Sequence, residues 1–153
     1  MSNVPKSKQK PSTFNVVDLA GRIYDQTLDI CLRMPKRYTY LVLLPILNLA
    51  GEVADFTKEG NSTIPNQRNP NPDDVRLRRL YFMKAKASLQ ALIRRMNFFL
   101  DRPDVCRHEV NGHTVGITES ELKELALNMR KEFGLIKGIL EKDEKRYNTG
   151  HLL

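Results

Sequence analysis

The sequence predicts an all-α protein, an up-down four-helix bundle, and three observations carry that reading. Four long segments place apolar residues at the helical period rather than at strand alternation. Each is bounded by Pro, Gly or Asn in the positions where helices start and stop. The chain has 153 residues, 41% of them hydrophobic, enough for one core. The expected organisation is a basic tail over 1–13, the bundle over 14–147 and a short tail over 148–153.

The first helix is expected from Asn15 to Met34, with Val16, Ala20, Ile23, Thr27, Ile30, Cys31 and Met34 facing inward. Asn15 can cap it and Asp18 then meets the helix dipole. Pro35 disfavours helical geometry at Met34 and ends it there.

The second helix is expected from Lys36 to Glu59, with Gly60 and Asn61 as its stop. Its first half, Tyr40 to Ala50, is apolar nearly all round, and Pro45 within it leaves the Leu41 carbonyl unpaired, so a kink is expected. A lone bundle needs one solvated face per helix. The surplus apolar face therefore implies a second subunit.

Asn61 to Asp74, with Pro65, Pro70 and Pro72, reads as a loop, and Asp73 as the cap of a third helix over Asp74 to Asp101. There Phe82, Ala85, Leu89, Leu92, Met96 and Phe99 alternate steps of three and four, the seam of a left-handed bundle. Arg102 to Gly116 reads as a second loop. The fourth helix opens with a capping box, Thr118 and Glu121, and runs to Tyr147 on a stripe of Leu122, Ala126, Met129, Phe133, Ile136 and Leu140.

Charge is the functional signal. The third helix carries Arg76, Arg78, Arg79, Lys84, Lys86, Arg94 and Arg95, with no Asp or Glu between Val75 and Leu100. These cations alone equal the whole-chain net charge of +7. Exposed helices usually intersperse opposite charges, because like charges repel at i,i+4. An unbalanced helix points to an anionic partner, and the planar fork of Arg suits phosphate. The competing reading places balancing acids on the fourth helix, at Glu119, Glu121, Glu124 and Glu132. Lys36 and Arg37 can extend the basic patch. The core aromatics Phe82, Phe99 and Phe133 are not free to stack bases, which leaves Tyr38 and Tyr40 and favours recognition of backbone over bases.

Other chemistry is weakly marked. Cys106, His108 and His113 share one loop but lack a fourth ligand and a zinc-like spacing, so no metal site is assigned. Arg102 and His108 have the Arg-x5-His spacing that resembles the motif of helical ribonucleases of the HEPN class. Pro103 sets that pair in a loop, away from the helix that holds it in that class, and no catalytic residue is assigned. Phosphate-loop, zinc-protease and nucleophile-elbow motifs are missing. The expectation is a cytoplasmic binding protein with no cofactor and no membrane span, since no stretch approaches ~20 consecutive apolar residues.

Four segments carry a family resemblance: Met34-Pro-Lys-Arg-Tyr-Thr-Tyr40, Leu92-Ile-Arg-Arg-Met-Asn-Phe-Phe-Leu100, Gly116-Ile-Thr-Glu-Ser-Glu-Leu122 and Glu132-Phe-Gly-Leu-Ile-Lys-Gly-Ile-Leu140. Across about residues 15 to 146 the chain resembles the accessory variability determinant (Avd) proteins of diversity-generating retroelements, relatives of the ribosomal-RNA intervening-sequence proteins. The resemblance implies a homo-oligomer, a pentameric barrel with a basic surface. It also implies RNA or DNA and a reverse transcriptase as partners, in support of mutagenic copying of RNA into complementary DNA. Its binding residues would be the third-helix cations with Lys36 and Arg37. The alternatives are a structural or protein-binding bundle that works through its apolar second helix, and a HEPN-like ribonuclease built on Arg102 and His108.

Overall fold

The computed structural model describes residues 14–102 and 106–147; of Phe14, 108–110 and 113–115 it describes the backbone alone. The architecture is an all-α helical bundle with one small hairpin. Helix α1 spans Phe14–Arg33, α2 Leu44–Ser62, α3 Pro72–Asp101 and α4 Glu119–Tyr147. Each helix packs on the next and α4 closes against α1. Arg33 meets Glu121 and Gln26 meets Asn128, so α1 and α4 run in opposite directions. Arg78 meets Asp143, while Phe99 and Leu122 line one cavity, so α3 opposes α4 as well. The C-termini of α1 and α3 therefore share one end of the bundle with the N-terminus of α4.

The α3 seam is buried as its spacing predicts, and it extends further: Val75, Arg78, Phe82, Ala85, Leu89, Leu92, Met96 and Phe99 are all inside. On α4 the innermost line is Leu122, Leu125, Met129, Glu132, Ile136, Ile139 and Asp143, again alternating three and four. Ala126, Phe133 and Leu140, expected at the centre of that stripe, are half-buried beside it. The strict alternation rotates the core line by one position and draws two acidic residues inward.

Several expected boundaries shift. Helix α1 already includes Asn15, so that residue is not its cap, and Asp18 pairs with Arg22 at 3.2 Å. Helix α3 begins at Pro72, where a missing N–H costs nothing. Asn71, not Asp73, is its cap, accepting from the Asp73 amide at 2.9 Å. The Thr118–Glu121 capping box forms in both directions, at 2.8 and 3.2 Å.

Gly60 does not stop α2, which continues to Ser62. A Cβ on Gly60 would lie 3.0 Å from the Phe82 ring, so glycine is used here for close packing of α2 on α3.

The kink expected at Pro45 takes a definite form. A 3₁₀ turn over Lys36–Tyr38 leads into a π-helical turn over Thr39–Leu43, which ends where the Leu44 amide bonds to the Thr39 carbonyl. A proline in a continuous α-helix would crowd the carbonyl four residues back. The wider turn ahead of it places Pro45 in the first turn of α2 instead. Joined in this way, Lys36–Ser62 is a 27-residue helical run, and an 18-residue window within it reaches a mean hydropathy of 1.3, enough by length and composition alone to cross a membrane. The core helix of a soluble protein passes the same test. The same run lays Leu43, Ile46, Ala50 and Val53 into the bundle core.

The stretch expected as a plain loop before α4 contains an antiparallel hairpin, β1 Arg107–Val110 with β2 His113–Gly116. Its two-residue turn is Asn111-Gly112, with φ of 52° and 79°, the left-handed pair that a type I′ turn requires. The Ile117 amide bonds to the Cys106 carbonyl at 3.0 Å and closes the base of the hairpin. Gly116, at φ 139°, fits there because a Cβ would meet that carbonyl at 2.0 Å.

Candidate nucleic-acid interface

The cations predicted to form one patch separate into groups of different character. Arg78 is a correction to the predicted site. It lies on the α3 seam, 6% exposed, with Nε donating to the Asp143 carboxylate at 2.6 Å. One Nη of Arg78 donates to the carbonyls of Gly60 and Thr63 at 3.1 and 3.3 Å, and the guanidinium stacks 5.0 Å from the Phe82 ring centre. Burial without such partners would be prohibitive for a guanidinium. Arg78 therefore ties α3 to α4 and to the end of α2, out of reach of any external phosphate.

Arg76 is exposed and neutralised locally by Asp73 at 3.2 Å. Among the described residues, Arg76 and Arg78 are the α3 cations with a carboxylate within 4.0 Å. Arg94 and Arg95 are exposed, and no such partner meets them. Lys84 is exposed, its Nζ 5.5 Å from the centre of Phe56, itself stacked on Tyr81. Arg79 and Lys86, seven residues apart, share the flank that faces α4. Lys86 Nζ sits 5.5 Å from the Phe133 ring, and Arg79 Nε is buried without an acceptor.

Of the acids proposed as counterbalance, Glu119 and Glu121 are paired with other cations and Glu132 is buried and protonated at neutral pH. Glu121 pairs with Arg33 at 3.0 Å, and the hydrogen bond from Arg33 holds its carboxyl below the ordinary range. Glu119 pairs with Lys123 at 3.1 Å. Glu132 is fully buried with both oxygens lacking a partner, and burial pushes its carboxyl up to about 8. Glu124 is exposed and forms no ion pair among the described residues. Lys84, Arg94 and Arg95 thus keep no ion-pair partner among the described residues, whereas Arg79 and Lys86 share their flank with Glu141 and Glu144.

Lys36 and Arg37 are exposed at the α1–α2 corner, the end of the bundle that also holds Arg94 and Arg95. Arg37 donates to the Tyr38 hydroxyl at 3.1 Å and stacks 4.9 Å from its ring centre. Tyr38 is half-buried, whereas Tyr40 is 82% exposed. Leu41, at 85%, and Leu44 are exposed beside it in sequence, and Leu32 is exposed on α1. The apolar surplus read from the second helix is therefore concentrated in the π-helical turn.

Arg102 is exposed, its guanidinium 4.3 Å from the Phe98 ring centre. Cys106 is buried, with Sγ 3.8 Å from the Phe99 carbonyl oxygen. The side chains of His108 and His113 lie outside the described residues, and among the described residues no cluster of His, Cys, Asp or Glu is arranged to hold a metal ion. Cys31 is half-buried, and burial raises its thiol to about 11, so it stays protonated and unreactive at neutral pH.

Fold and site together describe a helical bundle with an outward basic surface and an exposed apolar corner. Comparison with protein-family models, curated proteins and solved structures finds no match to this chain.

Proposed function

We propose that the protein is a non-enzymatic, oligomeric accessory factor that binds RNA through the outward cations of α3, together with Lys36 and Arg37, and presents it to a reverse transcriptase. One observation carries the nucleic-acid half of this reading: the acid-free face of α3 keeps Lys84, Arg94 and Arg95 exposed with no carboxylate partner among the described residues. Such a surface repels itself and is stabilised by a polyanion. The reverse-transcriptase half rests on the resemblance of the four quoted segments to Avd proteins. Binding of a labelled single-stranded RNA should weaken steeply with salt, because each neutralised phosphate releases about 0.7 counterion from a single strand. A flat salt series would overturn the reading.

The exposed apolar corner supports a second reading, a bundle that works through protein contact. Tyr40 and Leu41 are too exposed to serve the core of one chain. In the leading reading they lie between subunits of a pentamer. Sedimentation separates the two: a closed ring broken by Leu41→Glu supports the assembly, whereas a monomer supports a surface awaiting a different partner.

A further inference from the structure

The two most exposed large apolar side chains among the described residues, Leu41 at 85% and Tyr40 at 82%, are neighbours in the π-helical turn of Thr39–Leu43, and Leu44 follows at 44%. Turns of this kind are rare and recur at functional sites. A core helix apolar enough to resemble a membrane span is mostly buried, whereas only 22% of the apolar window in Lys36–Ser62 is. The surroundings are basic. Lys36 and Arg37, both exposed, stand one turn ahead of Tyr40 and Leu41, and no acidic residue lies between Ile30 and Gly51. The acids nearest in this corner, Asp29 and Glu121, are both taken by Arg33, at 2.9 and 3.0 Å. The corner thus joins a protruding apolar tip to cations that no carboxylate neutralises among the described residues.

We infer that this corner docks on an anionic lipid bilayer, with Tyr40 and Leu41 entering the interface and Lys36 and Arg37 against the negative headgroups. The inference goes beyond the RNA reading and names the different partner that the second reading leaves open. A bilayer surface offers both things the corner lacks, apolar depth for Leu41 and negative charge for Lys36 and Arg37. Tyr40 suits the boundary between them, because its ring is apolar and its hydroxyl stays with the headgroups. RNA would satisfy the cations but leave Leu41 and Leu44 in water, since aliphatic side chains give bases no stacking face. A copy of the chain, paired by a twofold axis at this corner, would set Lys36 and Arg37 against their own equivalents. The contact is peripheral: the same run lays Leu43, Ile46, Ala50 and Val53 into the bundle core, so α2 cannot leave to span the bilayer without unfolding the protein.

The test uses the full chain with vesicles of phosphatidylcholine, alone or with about one third phosphatidylserine. The parent should sediment with the anionic vesicles and hardly with the neutral ones. Leu41→Ser, at a side chain the fold leaves in water, should weaken vesicle binding about tenfold. Lys36→Gln with Arg37→Gln should weaken it about thirtyfold, near fivefold for each charge. The chain has no Trp, so Tyr40→Trp supplies a single reporter whose emission should shift to the blue on anionic vesicles. RNA affinity should be the same for Leu41→Ser as for the parent, whereas Arg94→Glu with Arg95→Glu tests the RNA reading separately. Absence of vesicle binding overturns the inference, as does binding indifferent to Leu41→Ser or to the anionic lipid. A closed ring in sedimentation, with the Tyr40→Trp reporter already shifted before lipid is added, would place a copy of the chain on the corner and also overturn it. RNA affinity that falls with Leu41→Ser while vesicle binding holds would make RNA the occupant instead.

Discussion

Arg78 and Arg94 stand on the same helix in opposite surroundings. The first is enclosed by Asp143, two backbone carbonyls and the Phe82 ring, while the second is exposed with no carboxylate partner among the described residues. Like chemistry thus serves two tasks, and position on the heptad decides which. A guanidinium on the buried seam is held by internal acceptors, and its removal strands a carboxylate. A guanidinium on the outer face contributes little to stability and remains free for a ligand.

The two arginines differ most in what their loss does to folding. Arg78→Ala leaves Asp143 unpaired in the interior, and breaking a buried pair from one side costs about 3–5 kcal/mol. Urea unfolding should show a loss of that size, with Asp143→Ala similar and the double variant much less than additive. Loss within 0.5 kcal/mol would place Arg78 with the outer cations.

Glu132 occupies the α4 seam like Asp143 but has no partner among the described residues. Its carboxyl is raised from the ordinary 4.5 to about 8 by burial, so the folded bundle holds it protonated at pH 7. A raised carboxyl favours the native state fully below pH 4.5, and that advantage declines as pH rises until the folded group ionises near 8. Glu132→Leu should therefore stabilise the fold by ~3 kcal/mol at pH 7. The gain should shrink towards pH 4.5, as read from unfolding at a series of pH values. A gain independent of pH would mean that the carboxyl is ionised or solvated in the native state.

A smaller effect is expected at Gly60, where the Phe82 ring must yield a few tenths of an ångström to an added methyl. Gly60→Ala should lower stability by about 1 kcal/mol, within the usual range for overpacking. The least is expected on the outside: Arg94→Gln and Arg95→Gln should change unfolding by no more than about 0.5 kcal/mol.

Much of this was legible in the sequence. The α3 seam from Phe82 to Phe99 and the Thr118–Glu121 box announced two helices, because both depend only on local spacing. Arg78 was misread although its place was marked: it continues the three-four alternation back from Phe82, and Asp143 continues the α4 line forward from Ile139. That the two meet depends on the register of α3 against α4, which single-helix periodicity does not contain. The hairpin was also marked, by Val110-Asn-Gly-His113, where a two-residue type I′ turn is the favoured solution. The flanking strands are short and lack a strong alternating pattern, so the turn stands alone as a local signal. The flank where Arg79 and Lys86 meet Glu141 and Glu144 had no local signature, since its second wall comes from a helix distant in sequence.

The decisive measurement is RNA affinity against salt for the parent chain and for Arg94→Glu with Arg95→Glu, at a temperature where both are folded. The expected result is a steep line for the parent and a weaker, shallower one for the variant, with unfolding curves nearly superimposed. Coincident binding lines, or a parent affinity indifferent to salt, would contradict the claim that the outward cations of α3 are there to meet phosphate.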